Sequence, residues 1–322
     1  MVAHIEGREG TAPGPSGDTG ALATFEGDRL HRQLSAAAFL EVTAPQARTR
    51  SAGPTDDQKE FAVTTLAFSE TEALDRARWV ARRYGIHLSK TTIRTFRTCP
   101  KAYRLEKVER MPGIAGMTRA QARGTAVHSA LEVALKHLGA DGETRTTELL
   151  ETSFPDEAEL LLGWVRTGVA YVLGQGGRVT LIEDFAKLDR SRSAGFTLHA
   201  RLDAAVEGGR LGGVEVIDFK TGAICPRPDN VRLDAEAGIH RLILGGMTPA
   251  RPIHITQLHL PSATPVTVEL TDDEVLAAWN DVSDARDEIR TALESDDFPA
   301  RPGPHCASCQ HRSGCPDAGK LR

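Results

Sequence analysis

The chain lacks any long apolar run. No segment approaches the roughly eighteen consecutive apolar residues of a membrane-spanning helix, and the opening MVAHIEGREG has no apolar stretch behind a basic patch. The sequence therefore predicts neither a membrane protein nor an exported one, and the default compartment is the reducing cytoplasm. Basic charge is also in short supply: 39 Lys and Arg against 44 Asp and Glu give a formal net charge of -5. Any nucleic-acid surface must then be local. Five cysteines, an odd number without an export signal, exclude a disulfide framework and turn attention to metal binding. There is no G-x-x-x-x-G-K-[ST] loop and no internal repeat, so the chain carries no helicase motor and no solenoid.

What is present suits a globular protein: 322 residues, 40% of them hydrophobic, enough for a sizeable core. Residues 1–58, rich in Gly, Ala, Pro, Ser and Thr, are expected to form a flexible arm. Residues 59–85 read as a linking segment with a helix over 71–83, where Leu74, Ala77 and Val80 recur at three-residue steps and Thr71 is the expected cap. The main domain is expected over 86–300, and 301–322 is a cysteine-rich tail acting with Cys99. Within the domain, helices are predicted from Ser89 to the Cys99-Pro100 break, onward from Pro100, over 124–138, within 149–173, and over 235–244 and 272–293. Strands are predicted over 179–185, 196–207, 214–219 and 253–260. This order implies an α/β core with a mixed sheet.

The most informative segment is FTLHARLDAAVEGGRLGGVEVIDFKTG, two strand-like runs joined by glycines. A turn centred between Arg210 and Leu211 without a bulge puts Asp203 directly opposite Asp218. Opposed carboxylates roughly 5 Å apart at Cβ repel unless a cation neutralises them. Alternation brings Lys220 to the same face and sends Ile217 and Phe219 into a core. Hard oxygen ligands suit Mg²⁺ or Mn²⁺, and an adjacent ammonium suits phosphodiester hydrolysis. A solvated hairpin is the alternative, since D-x-K alone is common.

Four motifs in order, LSKTTIRTFRTCPKAYRL, GTAVHSALE, RLDAAVE and VIDFKTG, resemble the RecB-like branch of the PD-(D/E)XK nucleases, which includes CRISPR-associated adaptation nucleases. The resemblance runs over about 88–317 and implies a restriction-endonuclease-like core: a mixed central sheet flanked by helices. It implies His128, Asp203, Asp218 and the backbone carbonyl of Phe219 as metal ligands and Lys220 as the catalytic lysine. By itself, a histidine on an apolar helix is more often packed in a core than a ligand, and it is the flanking pattern that favours His128 as a ligand. Where the family has Q-x-x-x-Y, the stretch DAEAGIHRLIL offers Glu236 and His240, which share a helical face and are candidates to contact DNA or the metal's surroundings. Glu183 is a further outer acid, or an ordinary surface carboxylate.

Cys306, Cys309 and Cys315 stand in a C-x2-C-x5-C pattern, and Cys99 lies about two hundred residues upstream. The split set is similar to that of iron-sulfur RecB-like proteins, which implies a 4Fe-4S cluster clasping the two ends of the domain. Zinc and unligated thiols are the alternatives, and Cys225 has no partner in the pattern. Near the first cysteine, Lys90, Arg94, Arg97, Lys101, Arg104, Lys107, Arg110, Arg119 and Arg123 outnumber Glu106 and Glu109. Of these, Arg94, Arg97, Lys101 and Arg104 are the expected DNA contacts, with Phe96 and Tyr103 as stacking or core aromatics. The resemblance thus implies a cytoplasmic Mg²⁺- or Mn²⁺-dependent DNase, an exonuclease on single-stranded or free DNA ends, working alone or with a separate helicase or integrase-type partner. DNA repair, CRISPR adaptation and mobile-element processing are all compatible roles. The competing reading is a catalytically inactive iron-sulfur or zinc protein that binds nucleic acid.

Overall fold

The computed structural model describes residues 69–113 and 116–318. The arm expected over 1–58 and the first part of the linking segment lie outside the described residues. Helix α1 (Glu70–Tyr84) leads into strand β1 (Ile86–Leu88) and helix α2 (Lys90–Thr98). A short helix, Pro100–Tyr103, continues into a π-type turn, Arg104–Val108. Helices α3 (Arg119–Lys136), α4 (Ala140–Ser153) and α5 (Ala158–Gly174) follow, then strands β2 (Arg178–Arg190), β3 (Phe196–Glu207) and β4 (Val214–Lys220). A short helix, Pro228–Leu233, precedes α6 (Ala235–Met247), β5 (Ile253–His259), β6 (Thr264–Glu269) and α7 (Asp272–Ser295).

Capping chemistry sets the helix starts. Ser69, not Thr71, caps α1, because its hydroxyl accepts the amide of Glu72 while the Glu72 carboxylate takes the amide of Ser69. Ser89 caps α2 as the sequence predicts. The start of α3 comes earlier than expected because Thr118 and Gln121 form a capping box. α1 is fastened to the main domain by Arg78, whose guanidinium donates to the carbonyls of Leu293 and Glu294 at the end of α7.

The sheet is mixed, with six strands in the order β1-β3-β4-β5-β6 and β2 paired to β3. β1 and β6 are strands that the sequence pattern did not mark. The hairpin of β3 and β4 has the predicted register, since Ala204 faces Ile217 and Val206 faces Glu215. Its turn closes with the amide of Gly212 on the carbonyl of Gly209. Gly213 adopts φ +54, and a Cβ there would collide with the Pro252 carbonyl, so no other residue fits the exit from this turn.

Two cores lie on the two faces. One gathers Leu198, Leu202, Val214 and Val216 with helices α2, α6 and α7; the other gathers Ala204, Val206, Ile217 and Phe219 with α3 and α5. Even-numbered residues of β3 thus serve one core up to Leu202 and the other from Ala204, so the strand turns its faces over at Asp203. β2 does the same around Glu183: Ala186 and Leu188 face the first core, while Ile182 packs on the second. The acids sit at this crossover, where neither face is sealed by apolar packing. The fully buried Leu198 lies in the middle of the first core. Leu198→Ala is expected to cost about 2–5 kcal/mol, seen as a lower urea midpoint at unchanged slope.

Candidate metal centre

Register assembles the site. Ile182 faces Ala204 and Asp184 faces Leu202, so Glu183 of β2 stands opposite Asp203 of β3. The β3–β4 ladder ends at the Ala204 and Ile217 pair, so Asp203 and Asp218 are the residues next beyond it, and Asp218 is paired with Gln257 of β5. The result is a polar row crossing neighbouring strands. Glu183 holds a left-handed conformation, φ +46, which a non-glycine residue adopts only under constraint. Its side chain is only 3% exposed, and the turn aims the carboxylate at α3.

There it meets His128. Nδ1 lies 2.8 Å from Glu183 Oε1 and 3.4 Å from Asp203 Oδ1. Ligand atoms of His128, Glu183 and Asp203 all lie within 4.8 Å of one another, a spacing suited to one ion. The other oxygens are fixed from behind: Arg201 Nε is 2.8 Å from Glu183 Oε2, and the Phe219 amide donates to Asp203 Oδ2 at 2.7 Å. His128 follows Val127 and precedes Ala130 and Leu131, which bury against α5, so the helix is anchored while the imidazole faces the acids.

Lys220 forms the second half of the site. Its Nζ lies 2.5 Å from Asp218 Oδ2 and 2.9 Å from Glu236 Oε2, and Lys90 Nζ approaches the same Glu236 oxygen at 2.7 Å. Asp234 caps α6 through the Glu236 amide at 3.0 Å and accepts from Gln257 Nε2 at 3.1 Å. A chain of alternating charges thus runs Lys90, Glu236, Lys220, Asp218. The buried Asp218 Oδ2 therefore has the Lys220 ammonium as its charged partner. The buried Nδ1 of His240, one turn beyond Glu236, has no hydrogen-bond partner among the described residues.

Burial, then the Asp203 charge, pushes Asp218 well above the ordinary carboxylate range, with Lys220 opposing. Burial favours neutral Lys220, but Asp218 and Glu236 outweigh it and hold the ammonium charged. Burial also works against Glu236 ionisation, yet Lys220 and Lys90 hold its carboxyl at about 2. His240 is kept neutral, first by burial. For His128, burial lowers the pKa but hydrogen bonding and charge from Asp203 and Glu183 raise it to about 10.

The His128 shift has a testable sign. A folded pKa raised from 6.5 to about 10 gives stability present below pH 6.5 and lost as pH rises through about 10. A divalent cation needs the neutral imidazole. From about pH 6 to about pH 9, the melting temperature in EDTA is expected to fall, while the stabilisation by Mg²⁺ grows. His128→Ala should abolish both trends; trends that survive it would remove His128 from the site.

The structure brings His128, Asp203, Asp218, Lys220, Glu236 and the backbone of Phe219 into one neighbourhood. It draws Glu183 to the centre of it, where the sequence offered only an outer acid. Arg201 was missed and Lys90 was read only as part of the basic segment; the available signal was that Arg201 lies two positions before Asp203 on the same strand. The basic segment is largely taken up by the fold. Arg97 pairs with Asp281 and Glu288, and Arg104 with Glu109, Asp296 and Glu70. Arg119 and Arg123 both meet Glu157. Arg94 is exposed and Lys101 half-buried. Phe96 and Tyr103 are core aromatics, edge to face at 5.3 Å. At the cysteines, Cys99 Sγ accepts the Arg301 amide at 3.5 Å and Cys306 Sγ the Gly303 amide at 3.4 Å. All five thiols are free, and Cys225 is half-buried.

Comparison with known proteins adds three findings. Comparison with curated proteins gave no match. Among solved structures, an inferred exonuclease from Eubacterium rectale is similar at 15% identity and TM-score 0.47, over 73% of this chain and 90% of its own. The protein SSO0001 is similar at 12% identity and TM-score 0.36, over 78% of this chain and 96% of its own. Likenesses this distant carry no argument about activity. The sequence model of the PD-(D/E)XK nuclease superfamily, whose members are metal-dependent nucleases, matches residues 87–316, a span that contains every motif of the site. The chain belongs to the PD-(D/E)XK nuclease superfamily.

Proposed function

We propose that the protein is a Mg²⁺- or Mn²⁺-dependent deoxyribonuclease, an exonuclease acting on single-stranded or free DNA ends. The observation that carries this reading is the metal-sized group of His128, Glu183 and Asp203, with the Asp218 and Lys220 ion pair on the adjoining strand β4. The donor set fits a hard divalent cation: carboxylate oxygens of Glu183 and Asp203 and one imidazole, His128. His128, Asp203, Asp218 and the Phe219 carbonyl would hold the ion, with Glu183 beside His128. When bound, the ion supplies Lewis-acid activation of a phosphodiester and lowers the pKa of water. Asp218 keeps Lys220 charged and within reach of the same centre, and Lys220 hydrogen-bonds the attacking water and balances charge that builds on the phosphate. Glu236 and Lys90 fix that ammonium from the other side.

The same reading assigns Cys99, Cys306, Cys309 and Cys315 to a 4Fe-4S cluster, with zinc as the less favoured occupant. Support comes from amide-to-sulfur contacts at Cys99 and Cys306 whose donors, Arg301 and Gly303, are close neighbours in sequence. Among the described residues no helix is long and apolar enough to cross a membrane, consistent with work in the cytoplasm, alone or beside a separate helicase or integrase-type partner. The pathway is one that processes DNA ends, as in repair, CRISPR adaptation or mobile-element turnover.

One observation favours a second reading: Glu236 already occupies Lys220, as a loss of turnover would allow. The test is anaerobic purification, a visible spectrum, and incubation with end-labelled single- and double-stranded DNA in Mn²⁺ or EDTA, beside Asp218→Ala. A brown protein with Mn²⁺-dependent cutting that vanishes in the variant is the expected result. Binding without cutting in a colourless protein would establish the non-catalytic reading.

A further inference from the structure

We propose that Phe185, with Arg201 beside it, is a stacking platform for the base adjoining the scissile phosphate, so that the enzyme reads an unpaired strand. This rests on the nuclease reading above. Phe185 is 75% exposed, and among the described residues it is the one large apolar side chain exposed within a strand. The other strongly exposed aromatics, Trp79 and Tyr84, pack edge to face on each other at 5.7 Å. Singly exposed apolar side chains are ordinary, and Ile224 and Leu233 are more exposed still, so it is the strand position beside the Glu183–Asp203 pair that marks Phe185.

The position is next to the chemistry. Phe185 pairs across the ribbon with Arg201, and the Glu183–Asp203 pair lies two positions away along the same two strands. Arg201 Nε contacts Glu183 Oε2 at 2.8 Å, and the other oxygen of Glu183 contacts His128. The backbone is held as well: the left-handed turn at Glu183 is followed by Asp184, whose Oδ1 accepts the Phe185 amide at 2.7 Å. Ala186 and Leu188 enter the core, which commits Phe185 and Lys187 to the outer face.

The chemistry of this face selects a nucleotide over a protein. A protein partner would need a contiguous apolar patch. Here a single ring stands beside the exposed Lys187 and the half-exposed Arg201, whose guanidinium also bridges Glu183 and Glu132. A flat apolar ring beside cations matches a base and the phosphates flanking it. Inside a duplex both faces of a base are covered by its neighbours, so away from a free end the ring can accept only a base that has left the stack.

Affinity for a single-stranded oligonucleotide would be measured by anisotropy with Mg²⁺ in the Lys220→Ala background, and KM and kcat in the active enzyme. Phe185→Ala should weaken binding about tenfold or more, and raise KM far more than it lowers kcat. Phe185→Tyr should restore both. An abasic position scanned along the oligonucleotide should, at one place, make the Phe185→Ala and Phe185 proteins equal. Equal affinities without the ring, or a loss that is the same at every abasic position and for blunt duplex, would overturn the platform. A change in sedimentation on Phe185→Ala would instead assign the face to self-association. If the wild-type protein neither binds nor cuts DNA, the nuclease reading fails and takes the platform with it; cutting that ignores Phe185 sinks the platform alone.

Discussion

Lys220→Ala is expected to reduce Mn²⁺-dependent cleavage of end-labelled DNA by roughly 10²–10⁴-fold, the range for losing one positioned donor or proton-transfer group. A thousandfold loss corresponds to about 4 kcal/mol of transition-state stabilisation. The reason for so large an effect is that nothing nearby can replace the ammonium. Lys90 is committed to Glu236 and Asp234, and Arg201 to Glu183 and Glu132. Removing Lys220 also leaves Asp218 buried without its counter-ion, and since burial already drives that carboxyl toward the protonated form, it can take up a proton rather than unfold the site. The variant should therefore melt only slightly lower than the parent, and added Mg²⁺ should close most of the gap. Unchanged cutting by Lys220→Ala would remove the proposed active site. Lost cutting together with lost structure by circular dichroism would leave a structural role as the better account of Lys220.

Cys309→Ser is expected to bleach visible absorbance and lower the melting temperature by on the order of 10 °C, because a cluster bound only to the folded state contributes its binding energy to folding. The tail needs such help. Among the described residues, nothing from 301–318 belongs to either apolar core, although Phe298 just before it does. Its attachment rests on polar contacts such as Arg301 Nη1 to the Arg97 carbonyl and Gln310 Nε2 to Glu106. Two surface contacts of this kind contribute little on balance. A colourless wild-type protein that still needs Cys309 for tight zinc would assign the clasp to zinc. A wild-type protein without bound metal, and a variant of equal stability, would dismiss the clasp altogether.

Legibility followed the range of the interactions. The β3–β4 register was readable because strand alternation and turn glycines act over neighbouring residues: Gly212 and Gly213 close the turn, and Ile217 and Phe219 are buried as the period of two requires. The edges were not. β1 is a three-residue strand and β6 has Pro265 within it, so neither has a run long enough to show a period. The partners of the basic segment were hidden for the same reason. Within a window around Cys99 the cations look unopposed, but the acids that meet Arg97 and Arg104 come partly from α7 and its end, at Asp281, Glu288 and Asp296.

By itself the sequence determined the hairpin register that puts Asp203 on one strand and Asp218 and Lys220 on the next, since it follows from alternation and turn glycines within one hairpin. Only the tertiary structure decided what surrounds them. His128 meets Glu183 across 55 positions of chain, Lys90 meets Glu236 across 146, and Arg97 meets Asp281 across 184. No local period specifies such partners. They are set by the crossover of β2 and β3 between two cores, which leaves one unsealed place where α3 and α6 can deliver their polar side chains to the same row of acids.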